Sequence, residues 1–412
     1  MHVRSPSRHV LLTAAAWSVL AAPALAQTVQ PSASPSDSTT LEDVIVTGAP
    51  YGVSQRAAVI ATDVLDEQTL ATAPSASLGD LLNGRPGVRS TDFAPGASRP
   101  VIRGLSGPRV QVLTNGIGLI DASSVSPDHA VATDPAEANR VEIIRGPSTL
   151  VYGGSAIGGV VNVLDGRIPT EIPEGGIDGV VSGQVSSVDE GRGGFVRVTV
   201  GGGNFAINLD AVKRRTDDYE IPSPSISQRL ADAEGIEREG GDTQPNSYTD
   251  LEAWGVGGAY IGDKGFAGLS YKETDSEYGV VAEDSVFIKL NQERWDARGE
   301  YRFDRGPFSA LRGSYGHADY THTEFEDVGE PGTVFNSDGW EGRADLVQRA
   351  RGGWNGAVGV QALSRDFEAI GEEAFVPTVG IEEIGVYTVQ RLDLGDHGFE
   401  GGLRYDRRTL DA

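Results

Sequence analysis

The sequence predicts a compact α+β domain followed by a long run of antiparallel strands of a transmembrane β-barrel. Three observations lead to this prediction. Residues 139–163, "NRVEIIRGPSTLVYGGSAIGGVVNV", read as strand, turn, glycine-dense turn and strand. Residues 294–303, "RWDARGEYRF", alternate between charged and uncharged side chains. Beyond the first 26 residues no apolar run is long enough for a membrane-spanning helix, whereas barrel strands alternate in polarity and need no such run.

Residues 1–26 have the three parts of a secretory signal peptide. Arg4 and Arg8 supply a positive start, an apolar stretch follows, and the stretch ends in the small-residue pattern "ALA". The apolar stretch is shorter than the roughly 20 residues that a membrane span requires. We therefore expect export, with a mature chain that begins at Gln27.

The composition excludes several classes of function. A formal net charge of −25 argues against nucleic acid as a partner, because nucleic-acid binding needs a basic surface. The chain has no cysteine, which excludes disulfides and thiolate metal ligands. The histidines of the mature chain lie in no nucleophile or H-E-x-x-H context. We therefore expect that the protein is not an enzyme and that it requires no cofactor.

The mature N-terminus begins with a Pro/Ser/Thr-rich stretch, residues 27–40, of the kind that forms flexible linkers. The next segment, "LEDVIVTG" (41–48), is β-prone and isolated. One interpretation is a ligand that adds a strand to another protein's sheet edge. The other is the first strand of the following domain, and the residues alone do not separate the two.

Residues 51–170 are predicted to form the compact domain. The segment 75–88 has a serine cap, a short helical stretch and a Gly-Pro stop. The segment 99–117 reads as two strands around a Ser-Gly-Pro turn, followed by an Asn-Gly turn. The run Gly153-Gly154-Ser155 matches neither the G-x-S-x-G nor the phosphate-loop pattern, so we interpret it as a tight turn.

From about residue 176 onward, segments of alternating polarity follow one another. Side chains on a strand point alternately to opposite faces, so residues 294–303 have one ionic face and one apolar face with aromatic ends. A soluble sandwich also alternates, but its apolar face is usually rich in branched aliphatics. The small residues and terminal aromatics in this chain favour a lipid-facing band. The polar insert 215–250 is predicted to be an external loop.

These motifs in this order resemble the TonB-dependent outer-membrane receptors. "LEDVIVTG" resembles the TonB box, and "LGDLLNGRPGV", "RPVIRGLSGPRVQVLTNGI" and "NRVEIIRGPSTLVYGGSAIGGVVNV" resemble successive plug motifs. The core of the box is Asp43, Val44, Ile45, Val46 and Thr47. The implied organisation is a signal peptide (1–26), a leader (27–50) with the box (41–48), a plug (51–170) and a partial barrel (171–412).

The resemblance also implies a mechanism and partners. Receptors of this family hold the plug inside a 22-strand barrel in outer-membrane lipid, and the TonB energy-transducing complex pulls on the box to release ligand. Arg103 and Arg145 match plug arginines that pair with acidic barrel residues as a latch. The residues after the plug suffice for roughly eleven strands, about half of such a barrel. We expect a truncated or split version of a longer receptor.

A metal site is predicted at Asp128 and His129. The stretch "SPDHAVATDP" is similar to a zinc-uptake subgroup in which this pair binds metal in a plug loop facing outside. Carboxylate and imidazole are suitable ligands for Zn²⁺, although an Asp-His pair in a loop can also be solvated surface. Further ligands would come from residues 316–333, whose candidates are His317, His322, Glu324, Glu326 and Glu330.

Three functions follow as hypotheses. The first is import of a scarce nutrient, zinc or another divalent metal, across the cell outer membrane. The second is import of a siderophore or another small organic ligand. The third is a non-transporting outer-membrane or secreted β protein.

Overall fold

The structure, a computed structural model, describes residues 45–54, 61–73, 75–235, 241–283, 285–371, 374, 376–395 and 397–412. The predicted signal peptide and the box residues Asp43 and Val44 lie outside these residues. Within them, no helix has the length and apolar character to cross a membrane.

The N-terminal part of the described chain is a small mixed domain. Its strands are β1 (Ile45–Val46), β2 (Val53–Ser54), β3 (Ala61–Leu65), β4 (Val88–Ser90), β5 (Pro100–Ile102), β6 (Val110–Thr114), β7 (Ile117–Gly118), β8 (Arg140–Arg145) and β9 (Gly159–Leu164), and its helices are α1 (Glu67–Thr72) and α2 (Leu78–Leu82). Strands β3, β8, β9, β6 and β7 form one sheet in that order, and β1 pairs only with β2. Short 3-10 helices span Gly107–Arg109, Pro135–Glu137, Pro147–Tyr152 and Glu174–Gly176.

Local sequence signals explain the shape of this domain. The Ser77 side chain caps α2 by accepting a hydrogen bond from the Asp80 backbone N–H. Asn115 and Gly116 both have positive φ, 52° and 86°, which is the backbone of the tight turn between β6 and β7. Alternate apolar positions of β6, β8 and β9 pack with the helices and form the domain core. Leu82, the last residue of α2, is fully buried in this core.

The rest of the chain forms one antiparallel sheet of eleven strands, as predicted. Its strands are β10 (Ile177–Val185), β11 (Arg192–Gly202), β12 (Phe205–Thr216), β13 (Thr249–Gly262), β14 (Gly265–Gly279), β15 (Phe287–Arg302), β16 (Phe308–Asp327), β17 (Glu330–Gln348), β18 (Trp354–Ile370), β19 (Val379–Leu394) and β20 (His397–Asp411). Each strand pairs with its neighbour in sequence. The predicted external loop connects β12 to β13 and contains helix α3 (Gln228–Glu234).

The predicted two-faced strand pattern is present in this sheet. On β15, Arg294 and Asp296 are buried on the inner face, whereas Trp295 and Tyr301 are 53% and 49% exposed on the outer face. Tyr271 on β14 lies directly opposite Trp295 in the register, with ring centroids 4.8 Å apart. Along residues 294–301 of β15 the inner face is therefore ionic and the outer face apolar and aromatic.

Aromatic side chains form two rows on the outer face. One row includes Trp254, Tyr271 and Trp295 on adjacent strands. The second includes Phe205 and Tyr260, whose ring centroids are 5.3 Å apart. Six residues of β13 separate Trp254 from Tyr260, which is about 20 Å of strand. Two aromatic rows flanking an apolar band are typical of barrels in lipid.

The small domain packs against the inner face of the long sheet. One shared core joins Ala122 and Ala130 of the small domain to Tyr278, Tyr320 and Phe335 of the wall strands. We refer to the small domain as the plug and to the eleven-stranded sheet as the wall.

Candidate metal centre

The predicted pair Asp128–His129 lies in a loop between β7 and the 3-10 helix that begins at Pro135. This metal loop, residues 119–134, reaches the inner face of the wall near the C-terminal end of β16. His129 is 1% exposed, and Asp128 is only partly buried. The histidine is therefore enclosed, and the carboxylate lies on the side of the site that is open to solvent.

Two wall residues meet the loop at this point. Donor atoms of His129, His322 and Glu324 all lie within 4.8 Å of one another. The Glu324 Oε1 atom is 3.0 Å from His129 Nε2 and 3.8 Å from His322 Nε2, and Asp128 Oδ2 is 3.9 Å from His129 Nε2. Ligand atoms around a tetrahedral Zn²⁺ are about 3.3 Å apart. The donor atoms of His129, His322 and Glu324 are therefore spaced as a ligand set, one from the plug and two from the wall. Asp128, beside His129, is a candidate fourth ligand from the plug.

The other nitrogen of each imidazole is already bonded. His129 Nδ1 donates to the Ala122 carbonyl at 3.1 Å, and His322 Nδ1 lies 2.8 Å from the Tyr320 hydroxyl. Among the described residues, the buried His322 Nε2 atom forms no hydrogen bond. Both Nε2 atoms therefore face the centre of the cluster, and one of them lacks the partner that a buried polar atom ordinarily has.

The electrostatics of the loop histidine reflect its neighbours. Burial opposes a charge on His129, but the hydrogen bond to Glu324 and the negative charge of Asp128 outweigh it and raise the pKa of His129. Without an ion, the cluster is stabilised by a proton on this imidazole. A divalent cation could take the same place, because it would neutralise the same carboxylates.

The wall holds the metal loop on both sides of His129. The Tyr278 hydroxyl, on β14, donates to the Asp128 carbonyl at 2.9 Å and accepts from the Ala130 N–H at 2.8 Å. Tyr278 is 1% exposed, and an added Cβ at Gly96 would lie 2.6 Å from its ring, so only glycine fits beneath it. One buried hydroxyl thus fixes the backbone on either side of the ligand.

The base of the loop is held in an unfavourable backbone conformation. Ile120 has φ of 59°, a left-handed value that β-branched residues rarely adopt. Gln292 of β15 donates to the Leu119 carbonyl at 3.0 Å, and Arg365 of β18 donates to the Asp121 carbonyl at 2.7 Å. Wall side chains thus hold the carbonyls on both sides of the strained residue. This strain needs such support, since it costs on the order of 1–3 kcal/mol.

Three other predicted candidates lie away from the cluster. His317 projects to the outer face of β16, where its Nδ1 bonds the Gly339 carbonyl at 2.7 Å. Glu326 and Glu330 are exposed near the turn between β16 and β17. The structure therefore brings together Asp128, His129, His322 and Glu324 and leaves these three apart.

The predicted latch arginines make other contacts. Arg103 is exposed and forms no ion pair among the described residues. Arg145 donates to the Pro86 carbonyl within the plug. The latch therefore stays a prediction for these two residues.

Buried ion pairs between plug and wall occur elsewhere. Arg167 bonds Asp210 of β12 through two nitrogens, both at 2.9 Å, and also pairs with Asp165 at 2.7 Å. Glu137 pairs with Arg167 at 3.3 Å and with Lys272 of β14. Asp134, at the end of the metal loop, pairs with Arg214 of β12 at 2.8 Å. Sequence reasoning missed this ion cluster because its partners are far apart in the chain.

The end of the predicted TonB box is bonded into the plug. The Thr47 N–H donates to Glu142 at 2.9 Å, and its hydroxyl bonds Glu142 and accepts from Asn162 at 2.9 Å. The Tyr152 hydroxyl donates to the Thr47 carbonyl at 3.0 Å. Residues 45 and 46 pair with β2 and do not join the main plug sheet.

A mixed domain packed on the inner face of a long antiparallel sheet defines a plug-and-barrel class of protein. Comparison of the sequence identifies the plug more closely. Residues 54–160 match the family described as TonB-dependent Receptor Plug Domain.

Solved structures of transport receptors have a similar fold. The copper transporter OprC is 17% identical with a TM-score of 0.68, over 85% of this chain and 55% of that one. The FrpB iron transporter from Neisseria meningitidis (F3-3 variant) is 15% identical with a TM-score of 0.65, over 85% and 59%. The alcaligin outer-membrane receptor FauA from Bordetella pertussis is 14% identical with a TM-score of 0.64, over 89% and 58%. The chain thus spans a little over half the length of each.

Proposed function

We propose that the plug and the wall belong to a TonB-dependent outer-membrane importer of a divalent metal ion, with zinc as the leading cargo. The observation that carries the proposal is the cluster of Asp128, His129, His322 and Glu324. The donor atoms of His129, His322 and Glu324 lie within 4.8 Å of one another, and Asp128 Oδ2 lies 3.9 Å from His129 Nε2. His322 Nε2 points into the cluster without a hydrogen bond among the described residues.

The chemistry of the ligands favours zinc over copper(I). Two imidazoles and two carboxylates suit Zn²⁺, whereas Cu⁺ prefers thiolate and thioether sulfur. The chain has no cysteine, and its single methionine is residue 1. A cargo like that of the copper transporter OprC would therefore have to bind here as Cu²⁺.

The size of the site favours a bare ion over an organic chelate. His129, His322 and the adjoining Phe335 are each 1% exposed, so there is no room between them for a siderophore. The structural similarity to FauA and FrpB concerns the fold alone and does not decide the cargo.

Outer-membrane location and energy coupling complete the proposal. The two aromatic rows on the outer face of the wall support insertion in lipid. The segment Asp43–Thr47 would bind the TonB complex by strand addition, through its backbone hydrogen bonds. Pulling on this segment would move the plug, and the plug carries half of the metal ligands.

Isothermal titration of Zn²⁺ into the refolded full chain tests the cargo, with Fe²⁺, Ni²⁺ and Cu²⁺ as comparators. We expect stoichiometric Zn²⁺ binding that is lost in the His129→Ala variant. Deletion of Asp43–Thr47 should leave this binding unchanged and abolish uptake in cells. A folded wild-type chain that binds none of the four ions would overturn the metal proposal, and uptake that survives the deletion would overturn the box assignment.

A further inference from the structure

Tyr320 lies two residues before His322 on β16, so both side chains point to the inner face of the wall. Each is 1% exposed. The Tyr320 hydroxyl is 2.8 Å from His322 Nδ1, and the two rings meet edge to face with centroids 5.6 Å apart. This contact stands directly behind one ligand of the candidate metal centre.

The Tyr320 hydroxyl can act as donor or acceptor toward Nδ1 of His322, so the proton position is decided by what Nε2 binds. A neutral imidazole has one N–H and one lone pair. At Nδ1, a proton can be donated to the Tyr320 oxygen. At Nε2, a proton would have no hydrogen-bond acceptor among the described residues, because Glu324 Oε1 is 3.8 Å away. Binding of a cation by the Nε2 lone pair requires the Nδ1–H form, and the Tyr320 oxygen is the acceptor that this form needs.

The loop histidine has the same arrangement with a different acceptor. His129 Nδ1 faces the Ala122 carbonyl, which can only accept a hydrogen bond. The proton on that nitrogen is thus fixed by the backbone. In the wall half of the site a side chain has this role, and a side chain can be substituted.

Ring packing restricts the rotation of the same imidazole. Phe335 lies directly opposite His322 in the register of β16 and β17, and the rings stack with centroids 4.6 Å apart and an interplanar angle of 24°. His129 contacts the edge of His322 with centroids 4.3 Å apart. The ring plane is held by packing, and the Tyr320 hydroxyl is the hydrogen-bond partner of Nδ1.

We propose that Tyr320 is a positioning residue that holds His322 in the Nδ1–H form and thereby raises the affinity of the cluster for a divalent cation. This proposal rests on the proposed function, because it concerns the metal affinity of the proposed site. Removal of an outer-shell partner of a metal-binding histidine typically lowers metal affinity about 10- to 100-fold. The Tyr320→Phe variant keeps the ring and removes only the hydroxyl.

Two measurements on the full chain test this role. Competition titration with a zinc chelator should show a 10- to 100-fold weaker Zn²⁺ affinity for Tyr320→Phe than for wild type. Nitrogen-15 NMR of histidine-labelled protein, with the His322 signal assigned by its loss in His322→Ala, should show the Nδ1–H form in metal-free wild type and a mixture of forms in Tyr320→Phe. Tyr315→Phe is the matched control, because Tyr315 lies on the same strand but faces outward and is 42% exposed.

The outcomes separate this inference from the proposed function. If wild type binds Zn²⁺ and the Tyr320→Phe variant binds it with the same affinity, the role of Tyr320 is overturned. An Nε2–H form of His322 in metal-free wild type would overturn it without any variant, even if Tyr320→Phe fails to fold. Wild type that binds no ion would overturn the metal importer, while the NMR result would still decide the proton position.

Discussion

His129 Nε2 lies 3.0 Å from Glu324 Oε1, and this contact joins two residues that are 195 positions apart in the chain. The histidine belongs to the plug and the glutamate to the wall. In the metal-free chain the pair is held by a proton on His129, whose pKa is raised. A bound cation would replace that proton and would then be the link between plug and wall. Displacement of the plug would remove two of the four ligands at once.

The first prediction concerns the divided ligand set. His129→Ala and His322→Ala should each weaken Zn²⁺ binding by more than the 10- to 100-fold loss expected for an outer-shell partner. The double variant should be little worse than either single one, because ligands of one ion act as a unit. Chelator competition gives the affinities. His317→Ala should bind as wild type does, since His317 faces outward. Additive losses would mean that the two histidines serve separate sites.

The second prediction concerns pH. Because the pKa of His129 is raised in the folded chain, its ion pair with Glu324 stabilises the metal-free chain. This stabilisation is fully present at pH values below the pKa of the unfolded chain, about 6.5, and it is lost as the pH rises through the pKa of the folded chain. Zn²⁺ requires the neutral imidazole, so stabilisation by Zn²⁺ should grow over the same interval. Thermal unfolding with and without Zn²⁺ across this range measures both. In the His129→Ala variant, neither the metal-free stability nor the stabilisation by Zn²⁺ should show this pH dependence. A metal-free wild type whose stability rises with pH over this interval would contradict the ion pair.

The third prediction concerns Tyr278, which holds the backbone on both sides of His129. Tyr278→Phe removes the acceptor of the Ala130 N–H and the donor to the Asp128 carbonyl. Leaving such a buried group unpaired costs about 1–3 kcal/mol, so the loop should become more mobile and the Zn²⁺ affinity should fall. Denaturant unfolding and titration check the two effects. Tyr260→Phe on the outer face is the control, and equal behaviour of the two variants would exclude a role in holding the loop.

The sequence predicted much of the fold because strand alternation is a local property. The inward and outward positions of Arg294 and Trp295 follow from a period of two. The same period on β16 separates His322 and Glu324, which point inward, from His317, which points outward, and this signal was present in the sequence. No local pattern, however, predicts that β16 meets residue 129, because strand order and plug position are set by the whole fold.

The fourth prediction concerns the buried ion cluster, which depends on the same long-range packing. Glu137→Gln removes the carboxylate that Arg167 and Lys272 share, and with it the one ion pair that the buried Lys272 forms among the described residues. Breaking one partner of a buried pair costs about 3–5 kcal/mol. Denaturant unfolding measures the loss.

Glu252→Gln is the matched control for this change. Its partner is Lys213, and the two side chains are 61% and 70% exposed, so no measurable loss of stability is expected. A comparable loss in both variants would show that the effect comes from the charge of the wall as a whole and not from the buried cluster.

The last prediction concerns access to the predicted TonB box. Thr47→Val keeps the shape of the side chain but removes its hydroxyl bonds to Glu142 and Asn162, both of which are fully buried. A hydrogen bond to a charged group contributes about 1.5–3 kcal/mol, so local opening of this segment should increase about tenfold or more. Since the chain has no cysteine, Ala49→Cys, at a position that is 2% exposed, provides a unique thiol whose labelling rate reports the opening. Thr321→Val on the wall should leave that rate unchanged. If Thr47→Val also leaves the labelling rate unchanged, the hydrogen bonds of the Thr47 hydroxyl do not restrain this segment. The accessibility of the predicted box to TonB would then not depend on these bonds.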